Sequence, residues 1–225
     1  IYDVDFEKIS SFVYDLCGIN LHEGKKELVK ARLGKRLREG NFTSFSEYYR
    51  YVTTPEGSDE LIVMIDSLST NLTYFFREAE HFQKLREILP EMAGMSGKGR
   101  IPKLRIWSAG CSTGEEPYSI AMTLREIFNS SQVDIRIIAS DISTKVLNTA
   151  VKGVYPEEKV KNVFPALLKK YFQVGHGNWK GHYRVKKEIQ VMIDFIRFNL
   201  MESLRNNDPF DIIFCRNVMI YFDKA

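Results

Sequence analysis

Nine consecutive residues in mid-chain, Ser108-Ala109-Gly110-Cys111-Ser112-Thr113-Gly114-Glu115-Glu116, have types and spacing that could do chemistry. They follow an apolar run and lead into a helical pattern. Small residues at such a junction let backbone N–H groups come close to a bound molecule at a helix N-terminus. The stretch has neither the GxGxxG spacing of a dinucleotide fingerprint nor the GxxxxGK[ST] of an NTPase loop. Its two adjacent acids would repel a pyrophosphate. They suit a ligand that carries positive charge, such as the amino and sulfonium groups of S-adenosylmethionine. Asp141 ends the next apolar run, where an acid can take ribose hydroxyls in doubly wound folds. A tight strand–helix turn with an acidic first turn has the same appearance, and Asp141 by itself could be an N-cap.

The elements that must position these residues fall into two halves. Residues 1–90 read as helices, with apolar residues at helical spacing over 5–17, 23–39, 44–54, 58–69 and 80–89. Residues 91–102, rich in Gly and Ser, read as a linker. From 103 to 225 the period changes. Strands are expected at 103–109, 133–140, the end of 190–199 and 210–215, with helices at 116–129 and 144–152. Strands alternating with helices indicate a parallel, doubly wound, Rossmann-like α/β sheet behind an all-α N-terminal domain. The alternation lapses over 153–188, which reads as a small inserted β-subdomain on the sheet's edge. It has a helix at 165–172, glycines at 175, 177 and 181, and a strand in YRVKKEI, residues 183–189.

Composition narrows the classes. The chain has 225 residues, 44% hydrophobic and 27% charged, which excludes a disordered tail, a collagen-like fibre and a coiled-coil rod. No apolar run approaches the ~18 residues of a membrane span. Asp3, Asp5 and Glu7 interrupt any signal-peptide core. Three cysteines without a CxxC make no disulfide scaffold and point to a reducing cytoplasm. Four histidines without HxH or HxxxH spacing suggest no metal site. The far edge of the apolar run 210–215 would be open if the protein stopped at Ala225, so further strands are expected beyond it.

Three stretches together resemble the CheR family of chemotaxis receptor methyltransferases. They are LSTNLTYFFRE at 68–78, IWSAGCSTGEEPYSIA at 106–121 and FCRNVMIYF at 214–222. The resemblance covers nearly the whole chain and is weakest at the C-terminus, where the family continues through further strands. It implies a cytoplasmic, S-adenosylmethionine-dependent enzyme that methylates glutamate side chains on the cytoplasmic helices of chemoreceptors and leaves S-adenosylhomocysteine. By the same resemblance Asn71, Thr73 and Arg77 touch the cofactor from the segment between the halves. Gly110 belongs to its loop, and Glu116 and Asp141 bind its polar ends. Asn199, Leu200, Asn217 and Val218 line the adenine and methionine sides at the strand tips. Glu115 and Glu116 are not told apart by the residues alone; the family match favours Glu116.

A glutamate acceptor is already ionised at neutral pH, so the enzyme must supply in-line placement and exclusion of water rather than a base. Arg77 is the candidate cation for positioning the acceptor, and Tyr221 the second candidate for orienting it. An arginine paired with Glu78 or Glu80 and a tyrosine packed in an apolar run are the plainer roles for these two. Residues 21–40 carry seven Lys/Arg against three Glu. Lys25, Arg32, Lys35 and Arg36 cluster on one side of that helix and are expected to dock the acidic receptor helix. The inserted subdomain resembles the kind that grips a receptor C-terminal peptide, with Trp179 either an exposed anchor or a core plug. A monomer is expected, with no nucleic-acid partner and no insertion into the membrane. An adenine amino-methyltransferase would carry prolines where this chain has Arg216-Asn217-Val218-Met219. The rival from another class is a non-catalytic module that senses S-adenosylmethionine or docks receptors.

Overall fold

Apolar residues three and four apart give the first helices one buried face each. The structure, a computed structural model, describes residues 1–94, 103–128, 133–204 and 208–219. Helix α1 (Asp3–Cys17) buries Phe6, Ile9, Val13 and Cys17 and stops at Gly18, which adopts φ 72°. A short 3-10 turn at Glu23–Lys25 leads into α2 (Lys26–Glu39), which buries Val29, Leu33 and Leu37. The N-terminus of α3 (Phe45–Val52) is closed reciprocally. The Glu47 N–H donates to Ser44 Oγ at 3.1 Å, and the Glu47 carboxylate accepts from the Thr43 N–H at 2.7 Å. Helix α4 (Ser58–Leu68) completes this layer, whose core joins Phe6, Leu33, Tyr48, Met64 and Leu68.

Helix α5 (Ala79–Gly94) runs on past Leu89, with Pro90 inside it. Its buried residues Phe82, Leu85 and Leu89 belong to the second core, with Ile106, Ile120 and Ile137. The first core ends at Leu68 and the second begins at Phe75. The division between the cores therefore falls at residues 69–74, not near 90 as the glycine-rich stretch suggests. Most of the expected linker, 95–102, lies outside the described residues.

The second core is built on strands β1 (Lys103–Ala109) and β2 (Asp134–Asp141), helices α6 (Glu115–Ile127) and α7 (Thr144–Lys152), and an insertion followed by two more strands. Within the insertion come β3 (Val154–Pro156), α8 (Glu157–Val160), α9 (Pro165–Tyr171), β4 (Phe172–Val174), β5 (His182–Val185) and α10 (Lys187–Gln190). Strands β6 (Ile193–Arg197) and β7 (Ile212–Phe214) follow. The main sheet has the order β6-β2-β1-β7 and is parallel throughout, with Ile106 opposite both Ile137 and Ile212. That is the doubly wound order, and its ligand site lies beyond the carboxyl ends of the strands where the order reverses.

The insertion does not extend the edge of that sheet. Its strands form a separate antiparallel sheet, β3-β5-β4, which packs on Phe75 where the second core begins. The Phe75 ring meets Tyr155 at 5.0 Å and Phe172 at 5.5 Å. The expected strand in YRVKKEI stops at Val185. The Lys186 N–H donates to the Tyr171 carbonyl at 2.8 Å and the chain then turns into α10, which buries Ile189. Trp179 is 60% exposed and so is not a core plug.

Candidate functional site

The loop after β1 is held open by backbone geometry. The Gly110 and Cys111 N–H groups both donate to the Ser140 carbonyl, at 2.8 and 2.9 Å, which pins the loop to the tip of β2. Gly110 has φ +76°, and a Cβ there would lie 2.4 Å from a Val218 methyl carbon. Ser112 also has positive φ (49°). Three more non-glycine residues in the left-handed region, Phe76, Glu78 and Asn217, lie on the segments facing this loop. Such strain collects at binding sites that the surrounding structure over-determines.

Asp141 is buried at the end of β2. Its two oxygens accept the Ser112 N–H at 2.8 Å and the Ser143 N–H at 3.0 Å. Burial pushes its carboxyl above the ordinary range, and the backbone donors only partly oppose that. The N-cap of α7 is Ser143, whose Oγ accepts from Val146, so Asp141 is left for the cleft. A carboxylate has about four acceptor directions, so Asp141 can still accept a ligand hydroxyl beside its backbone donors.

Geometry separates the two loop glutamates. Glu116 lines the cleft, accepts the Ser108 hydroxyl at 2.7 Å and meets Arg216 at 3.2 Å. Glu115 turns away to the Thr113 hydroxyl at 2.6 Å and the Lys159 ammonium at 3.4 Å, with no exposure. Desolvation raises both carboxyls; Ser108 and Arg216 counter it for Glu116, Thr113 and Lys159 for Glu115.

Asn71, Thr73 and Arg77 also line this cleft, from the chain between α4 and α5. The Asn71 carbonyl accepts the Ser112 hydroxyl at 3.1 Å. Arg77 donates to the Leu72 carbonyl at 2.8 Å, stands over the Tyr74 ring at 5.7 Å and lies 3.7 Å from Glu78. Its plainer pairing with Glu78 is thus present and still leaves it in the cleft wall. Asn199, Leu200, Asn217 and Val218 complete the wall at the strand tips. The Asn199 amide already bonds protein at both ends, Leu16 O at 2.7 Å and the Met201 N–H at 3.1 Å. It therefore ties the strand tip to α1. Tyr221 lies outside the described residues.

Two contributions escaped sequence reasoning. Arg216 is nearly buried and joins three site elements: it donates to Glu78 at 3.1 Å, to the Arg77 carbonyl and to Glu116. A cation just past the end of an apolar strand, facing a loop with two acids, is the signal that could have found it. Ile19, Lys25 and Leu28 also enter the cleft from the helical layer; no sequence pattern marks Ile19 and Leu28, and the basic cluster marks Lys25 for docking rather than for the cleft.

The four basic residues expected on one docking face do different things. Arg32 donates to the carbonyls of Leu68 and Ser69, at 2.8 and 3.1 Å, closing the end of α4. Arg36 is partly buried, bonds both oxygens of Glu60 at 2.8 and 2.6 Å and also reaches Glu39. The Lys25 ammonium donates to the Asn20 carbonyl at 2.9 Å. Lys35 is 72% exposed, 3.8 Å from Glu39.

A parallel sheet of this order, with an acid at the β2 tip and a close-approach loop after β1, fits a nucleoside-cofactor enzyme of the Rossmann-like methyltransferase class. Two carboxylates, backbone donors and apolar walls (Leu28, Leu200, Val218) fit S-adenosylmethionine, a cationic nucleoside, better than a polyphosphate. Comparison with known proteins agrees. A family profile described as the CheR methyltransferase SAM-binding domain matches residues 71–225, and one described as the CheR all-alpha domain matches 4–69. The chain is 42% identical over 226 residues to the chemotaxis protein methyltransferase of Borreliella burgdorferi, covering 98% of this chain and 78% of that protein. It is 42% identical over 224 residues to the chemotaxis protein methyltransferase of Escherichia coli, covering 99% and 76%. It is 44% identical over 221 residues to chemotaxis protein methyltransferase 2 of Pseudomonas aeruginosa, covering 98% and 76%. The chain belongs to the CheR family of chemotaxis methyltransferases, and its methyl donor is S-adenosylmethionine.

Proposed function

We propose that the enzyme methylates glutamate side-chain carboxylates on the cytoplasmic helices of chemoreceptors, giving methyl esters in sensory adaptation. The observation that carries this reading is Arg77, a cation in the wall of the cofactor cleft whose guanidinium is held by the Leu72 carbonyl. Its remaining N–H groups can place an acceptor carboxylate by a charge-assisted contact. Leu72, 71% exposed, and Tyr74 form an apolar rim beside it that can keep water from the carboxylate. S-adenosylmethionine supplies a methyl group on a sulfonium, and an ionised glutamate needs no base to accept it. Glu116 would hold the donor's amino group and Asp141 its ribose hydroxyls. Asn71, Thr73, Gly110, Asn199, Leu200, Asn217 and Val218 would shape the rest, and Tyr221 would help orient the acceptor. The reaction is placed in the cytoplasm, where receptor helices are reached. Among the described residues no helix is long and apolar enough to cross a membrane. Lys35 on α2 would steer the acidic receptor helix, with Lys25 at the cleft mouth. The exposed Trp179 would meet a receptor C-terminal peptide.

Methyl transfer from labelled donor to receptor cytoplasmic fragments tests this directly. The label should be released by mild base, as carboxyl methyl esters are. Arg77→Ala should lower kcat/KM for the receptor by about tenfold to a hundredfold, the loss of one charged hydrogen bond. A base-stable label would mean a different acceptor. Donor binding without any transfer would favour a sensing or docking module.

A further inference from the structure

Lys159 stands on α8, inside the inserted subdomain, yet its ammonium leaves that subdomain on both sides. It lies 3.4 Å from the buried Glu115 carboxylate at the start of α6 and donates to the Thr73 carbonyl at 3.4 Å. Thr73 is a buried residue of the cleft wall. Glu115 Oε1 accepts no hydrogen bond, so the lysine is its counter-charge. Next to it the Tyr155 hydroxyl, on β3, donates to the Thr113 carbonyl at 2.7 Å. The subdomain therefore grips the cofactor loop and the 71–77 segment at adjacent points.

We infer that Lys159 is a positioning residue for the cofactor: from the inserted subdomain, it holds the Thr73 carbonyl so that segment 71–77 closes on the cleft. The inserted subdomain is then part of the cofactor site's frame. The inference rests on the cleft being the S-adenosylmethionine site.

S-adenosylhomocysteine binding by calorimetry, with thermal unfolding alongside, tests it on the full chain. Lys159→Met should raise Kd about tenfold, the loss of one charge-assisted hydrogen bond, and should lower Tm because Glu115 is left unpaired. Lys159→Arg should stay close to wild type in both. Lys159→Met combined with Glu115→Gln should recover Tm while Kd stays raised, because no charge is stranded but the Thr73 carbonyl is still unheld. Unchanged Kd in Lys159→Met, or full recovery of Kd in the double variant, would overturn the inference while leaving the cofactor assignment in place. A folded wild-type chain that fails to bind would overturn both.

Discussion

Asp141, Glu116 and Glu115 are all carried into the fold at a cost. Each carboxyl is raised above its ordinary value, first of all by desolvation. A group whose folded pKa exceeds its unfolded one contributes stability at low pH and loses it as pH rises through the folded value. Of the three, Glu116 lines the cleft where a ligand ammonium would restore its charged form. The ammonium of S-adenosylhomocysteine should therefore bind more weakly as pH drops through the raised Glu116 value. Glu116→Gln should bind about tenfold more weakly at neutral pH, with a shallower pH slope. Calorimetry across a pH series decides it, and a wild-type affinity that does not vary with pH would refute it. At this scale the sequence marked Asp141 and the acidic pair as candidates because loop chemistry is local, but it could not tell that Glu115 turns away from the cleft. Arg216 was hidden because its partners Glu78 and Glu116 are 138 and 100 residues away in the chain.

Helix α2 shows what periodicity reveals about an element and what it hides. Its buried stripe of Val29, Leu33 and Leu37 was plain from spacing, as were most strand and helix positions. The roles of its basic residues were not, because the same charge pattern serves a docking face or an interhelical clamp. Arg36 lies between Glu60 and Glu39, and the Tyr48 hydroxyl also donates to Glu60 at 2.9 Å. A glutamate at 36 would stand beside Glu60 and leave that network without a cation. Arg36→Glu should cost about 2–4 kcal/mol of stability, read by chemical denaturation. Lys35→Glu should leave stability within about 0.5 kcal/mol, as exposed substitutions do, and weaken receptor methylation in a salt-dependent way. If Arg36→Glu is as stable as wild type, the clamp is not what holds α2 on α4.

On the scale of the whole molecule, the two halves and the inserted subdomain were readable because hydrophobic period changes between them. The boundary was not: glycine content drew it near 90, whereas packing puts α5 in the second core. Composition marks where a chain can bend, but burial decides which side a helix joins. The cleft proposed for the cofactor lies across the division between the cores. Ile19, Lys25 and Leu28 line it from the helical layer, and Gly110, Asp141 and Val218 from the sheet. The layers also meet at Asn199 with the Leu16 carbonyl and at Thr144 with Asp66 at 3.2 Å. A ligand that touches both walls stabilises both cores, by about 2.7 kcal/mol at a hundredfold excess over Kd. Saturating S-adenosylhomocysteine should therefore slow amide hydrogen exchange in α1 and α2 as well as in the loops after β1, β2 and β7. The effect should be strongest in amides that exchange only through large-scale opening, such as those of the buried Ile9 and Val29. Protection confined to residues 103–219 would mean that the helical layer opens independently of the cofactor, and that its contribution to the cleft wall carries no binding energy.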